Sequence, residues 1–367
     1  MHFVISREAL LKPLQLVSGV VERRQTLPVL SNVLLVLKNS ELSLTGTDLE
    51  VELIGRVAVE QSHEQGEVTV PARKLLDICK SLSDDAMVEV SLSESKLKVK
   101  SGRSRFTLAT LPAAEFPSVD EEPDTFSINM AQSKLRELLD NTSFAMAQQD
   151  VRYYLNGMLF EVATDYLRVV ATDGHRLAME TLGMSNPTSE PQQLILPRKG
   201  IMELTRLLTD DEGEISLTFG QNHIRASVPA FTFTSKLVDG KFPDYNRVLP
   251  KGGDKVLLGD CHELRQAFSR VSILSNEKYR GVRVILSDGE LKVFANNPEQ
   301  EEAEEVVSVE YEGDSLEVGF NVSYLIDVLS TLSSKKARIT LSDPNSSALI
   351  EAQEGSDAVY VVMPMRL

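Results

Sequence analysis

Apolar and polar residues alternate near the middle of the chain, in Leu167-Arg168-Val169-Val170-Ala171-Thr172-Asp173-Gly174-His175-Arg176-Leu177-Ala178. A run of this kind, ending in a small residue and then Asp, predicts a half-buried strand that enters a turn. Two shorter runs repeat the pattern: Leu42-Ser43-Leu44-Thr45-Gly46-Thr47-Asp48-Leu49-Glu50 upstream and Leu291-Lys292-Val293-Phe294-Ala295-Asn296-Asn297 downstream. Asp48 and Asp173 stand 125 positions apart, and Asp173 and Asn297 stand 124 apart. Other landmarks keep the step. Pro71-Ala72-Arg73-Lys74-Leu75-Leu76 is followed by Pro197-Arg198-Lys199-Gly200-Ile201-Met202 and Asn321-Val322-Ser323-Tyr324-Leu325-Ile326, at 126 and 124. Phe116-Pro117, Phe242-Pro243 and Met363-Pro364 close the three segments, at 126 and 121. Three landmark triples in one order and at one spacing predict three copies of a single domain of about 120 residues, a common domain size and far longer than a solenoid unit.

Helical periodicity predicts six helices, over residues 6–20, 72–82, 131–147, 198–208, 260–274 and 321–332. Ser6 suits the start of the first and Gly19 its end, while Pro13 is expected to bend or shorten it. Strands are predicted in the first copy over 33–37, 41–45, 50–59, 88–92, 96–100 and 105–108. In the second copy they run through 176–181 and then over 214–219, 223–227 and 232–237. The stretch from Phe116 to Pro123 reads as a linker. Two helices and many short strands per copy make the fold class α+β, with the helices covering one face of each copy.

A chain of 367 residues, 42% hydrophobic and 25% charged, has the composition of a soluble globular protein. No apolar run approaches the roughly 18 residues of a membrane span, and the N-terminus lacks a secretory signal pattern. Two cysteines, Cys79 and Cys261, fit a reducing cytoplasm. The net charge of −16 argues against a nucleic-acid binder. Yet the six predicted helices carry twelve basic and eight acidic residues, which leaves the rest of the chain at about −20. This is either an ordinary charged helix face or a basic lining inside an acidic shell, which would draw phosphates to one face only.

The chemistry of catalysis is missing. Five histidines show no metal-ligand spacing, and neither a P-loop nor a Gly-x-Ser-x-Gly elbow occurs. Asp173 is expected to form an Asx-type turn. No catalytic residue, metal or cofactor is expected. A hydrolase using Asp173 and His175 is the competing reading, but it lacks an evident nucleophile; a scaffold that binds peptides and no DNA is another.

Several long motifs then point to a family. They are Thr45-Gly46-Thr47-Asp48-Leu49-Glu50, Gln149-Asp150-Val151-Arg152-Tyr153-Tyr154-Leu155-Asn156-Gly157, Ala171-Thr172-Asp173-Gly174-His175-Arg176-Leu177-Ala178, Phe242-Pro243-Asp244-Tyr245, Asn296-Asn297-Pro298-Glu299-Gln300-Glu301 and Tyr360-Val361-Val362-Met363-Pro364-Met365-Arg366-Leu367. Through them the whole chain resembles the bacterial beta sliding clamps, the beta subunits of DNA polymerase III. The resemblance implies clamp domains over 1–122, 127–248 and 250–367, and a head-to-tail homodimer forming a six-domain ring, helices inside and antiparallel sheets outside. It implies a non-catalytic processivity factor that encircles double-stranded DNA without reading its sequence and is opened by an ATP-driven clamp loader. The partners implied are the DNA polymerase III alpha subunit, the clamp loader, translesion and repair polymerases, ligase and mismatch-repair proteins, all engaged through short linear motifs in the cytoplasm, with no membrane and no cofactor.

The resemblance also implies three sites. A peptide-binding pocket between the second and third domains would have a deep part made of Leu155, Thr172, Gly174, His175, Arg176, Leu177, Pro243, Val248, Val361 and Met363. Its shallower part would comprise Arg152, Tyr154, Arg247, Asn321, Tyr324, Ser347, Pro364, Met365 and Arg366. Small apolar residues, valines and methionines suit a concave site that accepts varied sequences, loosely a Gln followed by Leu and Phe. Arg152, Arg247 and Arg366 are placed to hold acidic or carbonyl groups, and Gln148 and Asn345 lie where the family varies. DNA contact falls to Arg24, Gln149, Tyr153, Tyr154, Arg198 and Lys199. The dimer interface would set Lys74, Arg103, Arg105, Phe106 and Leu108 of the first domain against Ile273, Leu274, Glu299, Glu301, Glu302, Glu304 and Glu305 of the third. Each has a plain structural alternative: Val361 to Met363 as the end of a core strand, Arg23-Arg24 as a helix C-terminal dipole contact, the glutamates as a solvated face.

Overall fold

The computed structural model describes residues 1–21, 27–117, 124–209 and 212–366. The chain divides into two compact units: Met1–Lys134 with Met202–Leu237, and Leu135–Ile201 with Val238–Leu367. Its helices are α1 (Arg7–Ser18), α2 (Ala72–Ser81), α3 (Gln132–Thr142), α4 (Arg198–Leu207), α5 (Cys261–Val271) and α6 (Val322–Thr331). The order strand, helix, three strands, strand, helix, three strands occurs three times, with one extra short strand, Gln61–Glu64, in the first copy.

Local chemistry explains where the helices begin and end. Ser6 and Asp260 cap α1 and α5: Ser6 Oγ accepts from the Ala9 N–H at 3.4 Å, and Asp260 Oδ1 accepts from His262 and Glu263 at 2.9 and 3.1 Å. Helix α1 runs through Pro13 and stops at Ser18, one of the places where the sequence expectation needs correcting. The ring is buried against Gly55, where a Cβ would lie only 2.8 Å from Pro13 Cβ. That packing holds the helix through a residue that removes one of its hydrogen bonds. Helix α3 is shorter than 131–147 because Phe126–Ala131 is a strand paired with Glu214–Phe219 and the chain tightens into a 3₁₀ turn at Ser143–Ala145. The opening strand His2–Ser6 buries Phe3 and Ile5 alternately but is only five residues long, too brief to register as a period. Gln61–Glu64 is exposed throughout and carries no apolar pattern at all.

All pairings are antiparallel. In the first unit, an eight-stranded sheet places Phe231–Lys236 of the second copy beside Val51–Ala58 of the first, in register Phe231↔Gly55 to Ser235↔Val51. In the second unit, the equivalent sheet joins Val359–Val362 of the third copy to Arg176–Gly183 of the second, from Arg176↔Val362 to Met179↔Val359. The corresponding strands at the third junction are not joined. Ser104–Ala109 is the edge of a five-stranded sheet in the first unit, and Glu302–Ser308 is the edge of a four-stranded sheet in the second. Within their observed bounds the helices hold twelve basic and seven acidic residues, since Asp260 caps α5 from outside; the charge segregation is slightly stronger than expected. Among the described residues, no helix is long and apolar enough to cross a membrane.

Candidate functional site

The turn after strand Tyr166–Thr172 is built by its own side chains. Asp173 Oδ1 accepts from the His175 and Arg176 amides at 2.9 and 3.0 Å, an Asx turn as expected. The Thr172 hydroxyl donates to the Arg176 carbonyl at 2.6 Å. The first copy uses the same device, with Asp48 Oδ1 accepting from Glu50 and Val51 at 2.9 and 2.8 Å. The residue between differs: Gly174 at φ +88° here, Leu49 at φ +79° there. Leu49 bears the strain of the left-handed backbone, which glycine avoids at 174, where the turn is also crowded. A Cβ would sit 3.1 Å from the Arg152 guanidinium, which lies across the turn and donates to the Asp173 carbonyl at 3.4 Å. Arg152 also grips Asp150 through both carboxylate oxygens at 3.0 and 2.9 Å, and this holds the Asp150 carboxyl down to about 2.

Arg176 is a tie inside the second unit. Its guanidinium pairs with Asp173 at 3.2 Å and with Asp327 of α6, donates to the Phe144 carbonyl at 2.9 Å, and lies over the rings of Tyr324 and Phe144 at 4.6 and 5.2 Å. The exposed His175 ring stacks on Tyr324, whose hydroxyl pKa is pushed up by burial and by the Asp173 charge, with Arg176 opposing. Asn321 caps α6 by accepting from Ser323 at 2.9 Å.

Beside this turn lies an apolar cluster of Leu159, Val170, Leu177, Met179, Ile195, Phe242, Tyr245 and Val361, with Tyr154, Val248 and Leu349 packed half-buried on it. Leu177, Tyr154, Val248 and Val361 thus come together as expected. Leu177 and Val361 are fully buried, as is Leu155, and Val361 is part of the core strand Val359–Val362. Met363, Pro364 and Met365 are half-buried; the Met363 amide donates to the His175 carbonyl at 2.9 Å. Pro243, Arg247 and Arg366 are exposed, and Arg247 holds Asp244 at 3.0 Å. Beyond Arg247 and Val248 a cleft of about 520 Å³ opens, walled by Asn345 and Ser347.

One component had no signal in the sequence. The turn Tyr245–Arg247, which presents Arg247 and Val248, hangs on a buried carboxylate. Glu161 Oε1 accepts from the Tyr245 and Tyr166 hydroxyls at 2.7 and 2.8 Å, Oε2 accepts from Gln193, and Arg168 donates to the Tyr245 oxygen at 3.0 Å. Glu161 and Tyr245 are far apart in the chain, and only the fold brings them together.

Of the residues expected at DNA, Arg24 and its neighbour Arg23 lie outside the described residues. Gln149 has φ +56°, and Tyr153 is 57% exposed next to Val151 at 95%. Arg198 and Lys199 are half-buried in the first turn of α4. Of those expected at the interface, Phe106 is half-buried and Leu108 buried on the edge strand Ser104–Ala109, with Arg105 exposed there and Arg103 and Lys74 exposed beyond it. Ile273 is 75% exposed, Leu274 half-buried. Glu305 is taken by Arg270 at 2.6 and 3.1 Å and Glu304 by Lys292 at 3.0 Å, while Glu301 accepts from Asn297 at 2.6 Å; Glu299, Glu301, Glu302 and Glu304 are all exposed. Val306, 49% exposed on the same strand, was missed by sequence reasoning because Glu304-Glu305-Val306-Val307 shows no polar and apolar alternation. Among the described residues, no cluster of His, Cys, Asp and Glu could hold a metal.

Three tandem α+β copies, sharing sheets across their junctions and carrying an apolar site beside the second junction, define a chain of DNA-clamp domains. The comparisons agree. Residues 1–120, 129–244 and 246–366 match the N-terminal, central and C-terminal domains of the DNA polymerase III beta subunit. The chain is 66% identical to the beta sliding clamp of Pseudomonas aeruginosa over 367 residues, all of both chains, and 53% identical to that of Escherichia coli over 369, again with full coverage. The crystal structure of the Pseudomonas aeruginosa clamp bound to griselimycin superposes with a TM-score of 0.98 at 66% identity, covering all of both chains. The chain belongs to the beta sliding clamp family, the DNA polymerase III beta subunits. Family membership makes it a non-catalytic accessory subunit and sets the hydrolase reading aside.

Proposed function

We propose that two copies of this chain close head to tail into a ring of six domains, spanning 1–122, 127–248 and 250–367 in each chain, that encircles duplex DNA in the cytoplasm. The observation that carries this reading is the pair of open sheet edges. Strands 51–58, 176–183 and 302–308 hold the same place in the repeat, as do 231–236, 359–362 and 104–109. The first two of each set are paired within the chain, so the third pair finds its partner in a second copy. Acidic Glu299, Glu301 and Glu302 then meet basic Lys74, Arg103 and Arg105, which sets register and partner choice. Ile273, Leu274, Val306, Phe106 and Leu108 supply the apolar burial. Two heterologous contacts that close on themselves give a finite ring.

The ring holds DNA by surrounding it, with Lys and Arg contacts to phosphates that carry no sequence information. Helices α2 and α4 support this. Arg73 stands in the first turn of α2 and Arg198-Lys199 in that of α4, and neither turn holds an acid. Cations at a helix N-terminus oppose the dipole, and an external phosphate relieves that cost. Arg24, Gln149, Tyr153 and Tyr154 add contacts. The pocket around Leu177, Val248 and Met363 receives short motifs from the polymerase alpha subunit, the clamp loader, translesion and repair polymerases, ligase and mismatch-repair proteins, while an ATP-driven loader opens the ring.

Topological trapping tests the proposal. The loaded protein stays on circular DNA through a high-salt wash and runs off once the circle is cut. Ile273→Ala with Leu274→Ala shifts the dimer toward monomer in sedimentation and lowers retention. Equal loss from circular and linear DNA sinks the ring.

A further inference from the structure

We propose that the peptide pocket continues past Val248 into a second, narrower cleft on the third copy, which takes an acidic segment flanking the bound motif. This rests on the peptide-pocket reading above. The cleft of about 520 Å³ beside Arg247 and Val248 adjoins a further cleft of about 230 Å³, the two sharing Pro250, Ser342 and Ser347, and an extended segment that leaves the first passes along the second. Leu349 lines the second cleft and packs on the apolar cluster beneath the pocket, which gives both a common floor.

The walls are held in place. On one side the loop Ser342 to Ser347 is fixed by Asp343, whose Oδ1 accepts from the Asn345 amide at 2.8 Å and whose Oδ2 accepts the Ser346 hydroxyl. On the other side a Cβ at Gly253 would lie 2.5 Å from Thr340 Cγ2 and 3.0 Å from the Leu341 carbonyl, so only glycine lets the chain press so close to that strand. A preformed groove lowers the cost of ordering what binds there.

Charge selects the occupant. The path is lined by Arg247, Lys251, Arg338 and Glu351, and since Arg247 is already held by Asp244 and the Asp343 carboxylate is turned into its own loop, the cation excess rests on Lys251 and Arg338 against Glu351. Arg338 stands opposite Glu351 in register, which tempers its field at the far end. Among the described residues neither Lys251 nor Arg338 makes an ion pair. Continuity with the pocket favours a peptide over a nucleic-acid strand, and the cation excess favours an acidic one.

Fluorescence anisotropy on the full-length chain tests this. The probes are a short labelled peptide carrying Gln followed by Leu and Phe, and the same peptide extended by four residues at either end, with the extension either Glu-rich or Lys-rich. One Glu-rich extension is expected to tighten binding about fivefold at low salt, in line with modest electrostatic complementarity. The gain disappears in Arg338→Glu and in Lys251→Glu, while the unextended peptide binds Arg338→Glu as it binds the wild type. A motif peptide that binds without gaining from either acidic flank overturns the extension alone, as does a gain that survives both charge reversals or is displaced only by DNA. A motif peptide that does not bind the wild type overturns the pocket reading and the extension with it.

Discussion

Two Phe-Pro segments close the first and second copies, and they pack differently. In the first unit, Phe116 buries itself against Val29 and Leu30, with Leu34 and Leu111 beside them, in a small and wholly apolar cluster. In the second unit, Phe242 joins the larger cluster that includes Leu177 and Val361, and the chain continues into the turn anchored by Tyr245. The strand beneath shows why. The place held by Glu161 opposite Arg168 is held by Val36 opposite Ser43 in the first copy and by Ile285 opposite Lys292 in the third. Only the second copy puts a buried carboxylate there, and only there does the following segment carry a tyrosine that reaches it. The repeat supplies one fold three times; the departure from it marks where the turn Tyr245–Arg247 is fastened.

Replacing the two phenylalanines breaks the comparison most directly. Phe242→Ala is expected to cost about 4 kcal/mol and Phe116→Ala about 2–3, because a larger buried cluster loses more contacts and leaves a larger cavity. Urea denaturation measures both, and peptide anisotropy should show weakened binding for Phe242→Ala only. Equal losses, or equal binding, would mean that the segments do the same work. Glu161→Ala comes next, at about 3 kcal/mol, since it leaves Tyr245, Tyr166 and Gln193 without their acceptor and Arg168 without its counter-charge. Val36→Ala at the equivalent strand position should cost about 1 kcal/mol, and it supplies the control.

Much of this architecture was legible beforehand, because the repeat signals are local. The Asp48, Asp173 and Asn297 turns, the strand alternations and the helix periods each lie within a dozen residues, and copying them three times reinforced each. Shorter or polar elements escaped. His2–Ser6 is brief, Gln61–Glu64 has no buried face, and Pro13 was read by its local penalty when its packing on Gly55 decides. In the site, Leu177 and Val361 were legible as apolar residues in strong motifs, whereas Val248 came only with the family resemblance. Arg176 was legible as a residue but not as a tie to Asp327 and Phe144, and Glu161 with Tyr245 was not legible at all. Such contacts join residues 32 to 151 positions apart, which no periodicity encodes.

The finest test removes one hydroxyl. Tyr245→Phe keeps the ring in its cluster and deletes only the donor to Glu161, so it isolates what the hydrogen bond adds to the turn. Burial pushes the Glu161 carboxyl up, but hydrogen bonds from Tyr245, Gln193 and Tyr166 together with the Arg168 charge outweigh it, and the net pKa is lowered. A carboxyl lowered on folding contributes stability above its unfolded value, and that stability is lost as pH falls through the folded one. Burial and the Glu161 bond push the Tyr245 hydroxyl up to about 12, against the opposing effect of Arg168. A hydroxyl raised on folding contributes stability below its ordinary value of 10, lost as pH rises from there through about 12. Tyr245→Phe should therefore cost about 1–2 kcal/mol near neutral pH, flatten the alkaline decline between 10 and 12, and shrink the acid-side loss, because Glu161 is then less depressed. Peptide binding should weaken about threefold, through a faster off-rate, as the turn carrying Arg247 and Val248 loosens. If stability, its pH profile and the off-rate all match the wild type, apolar packing alone holds the turn, and the two Phe-Pro segments differ only in size.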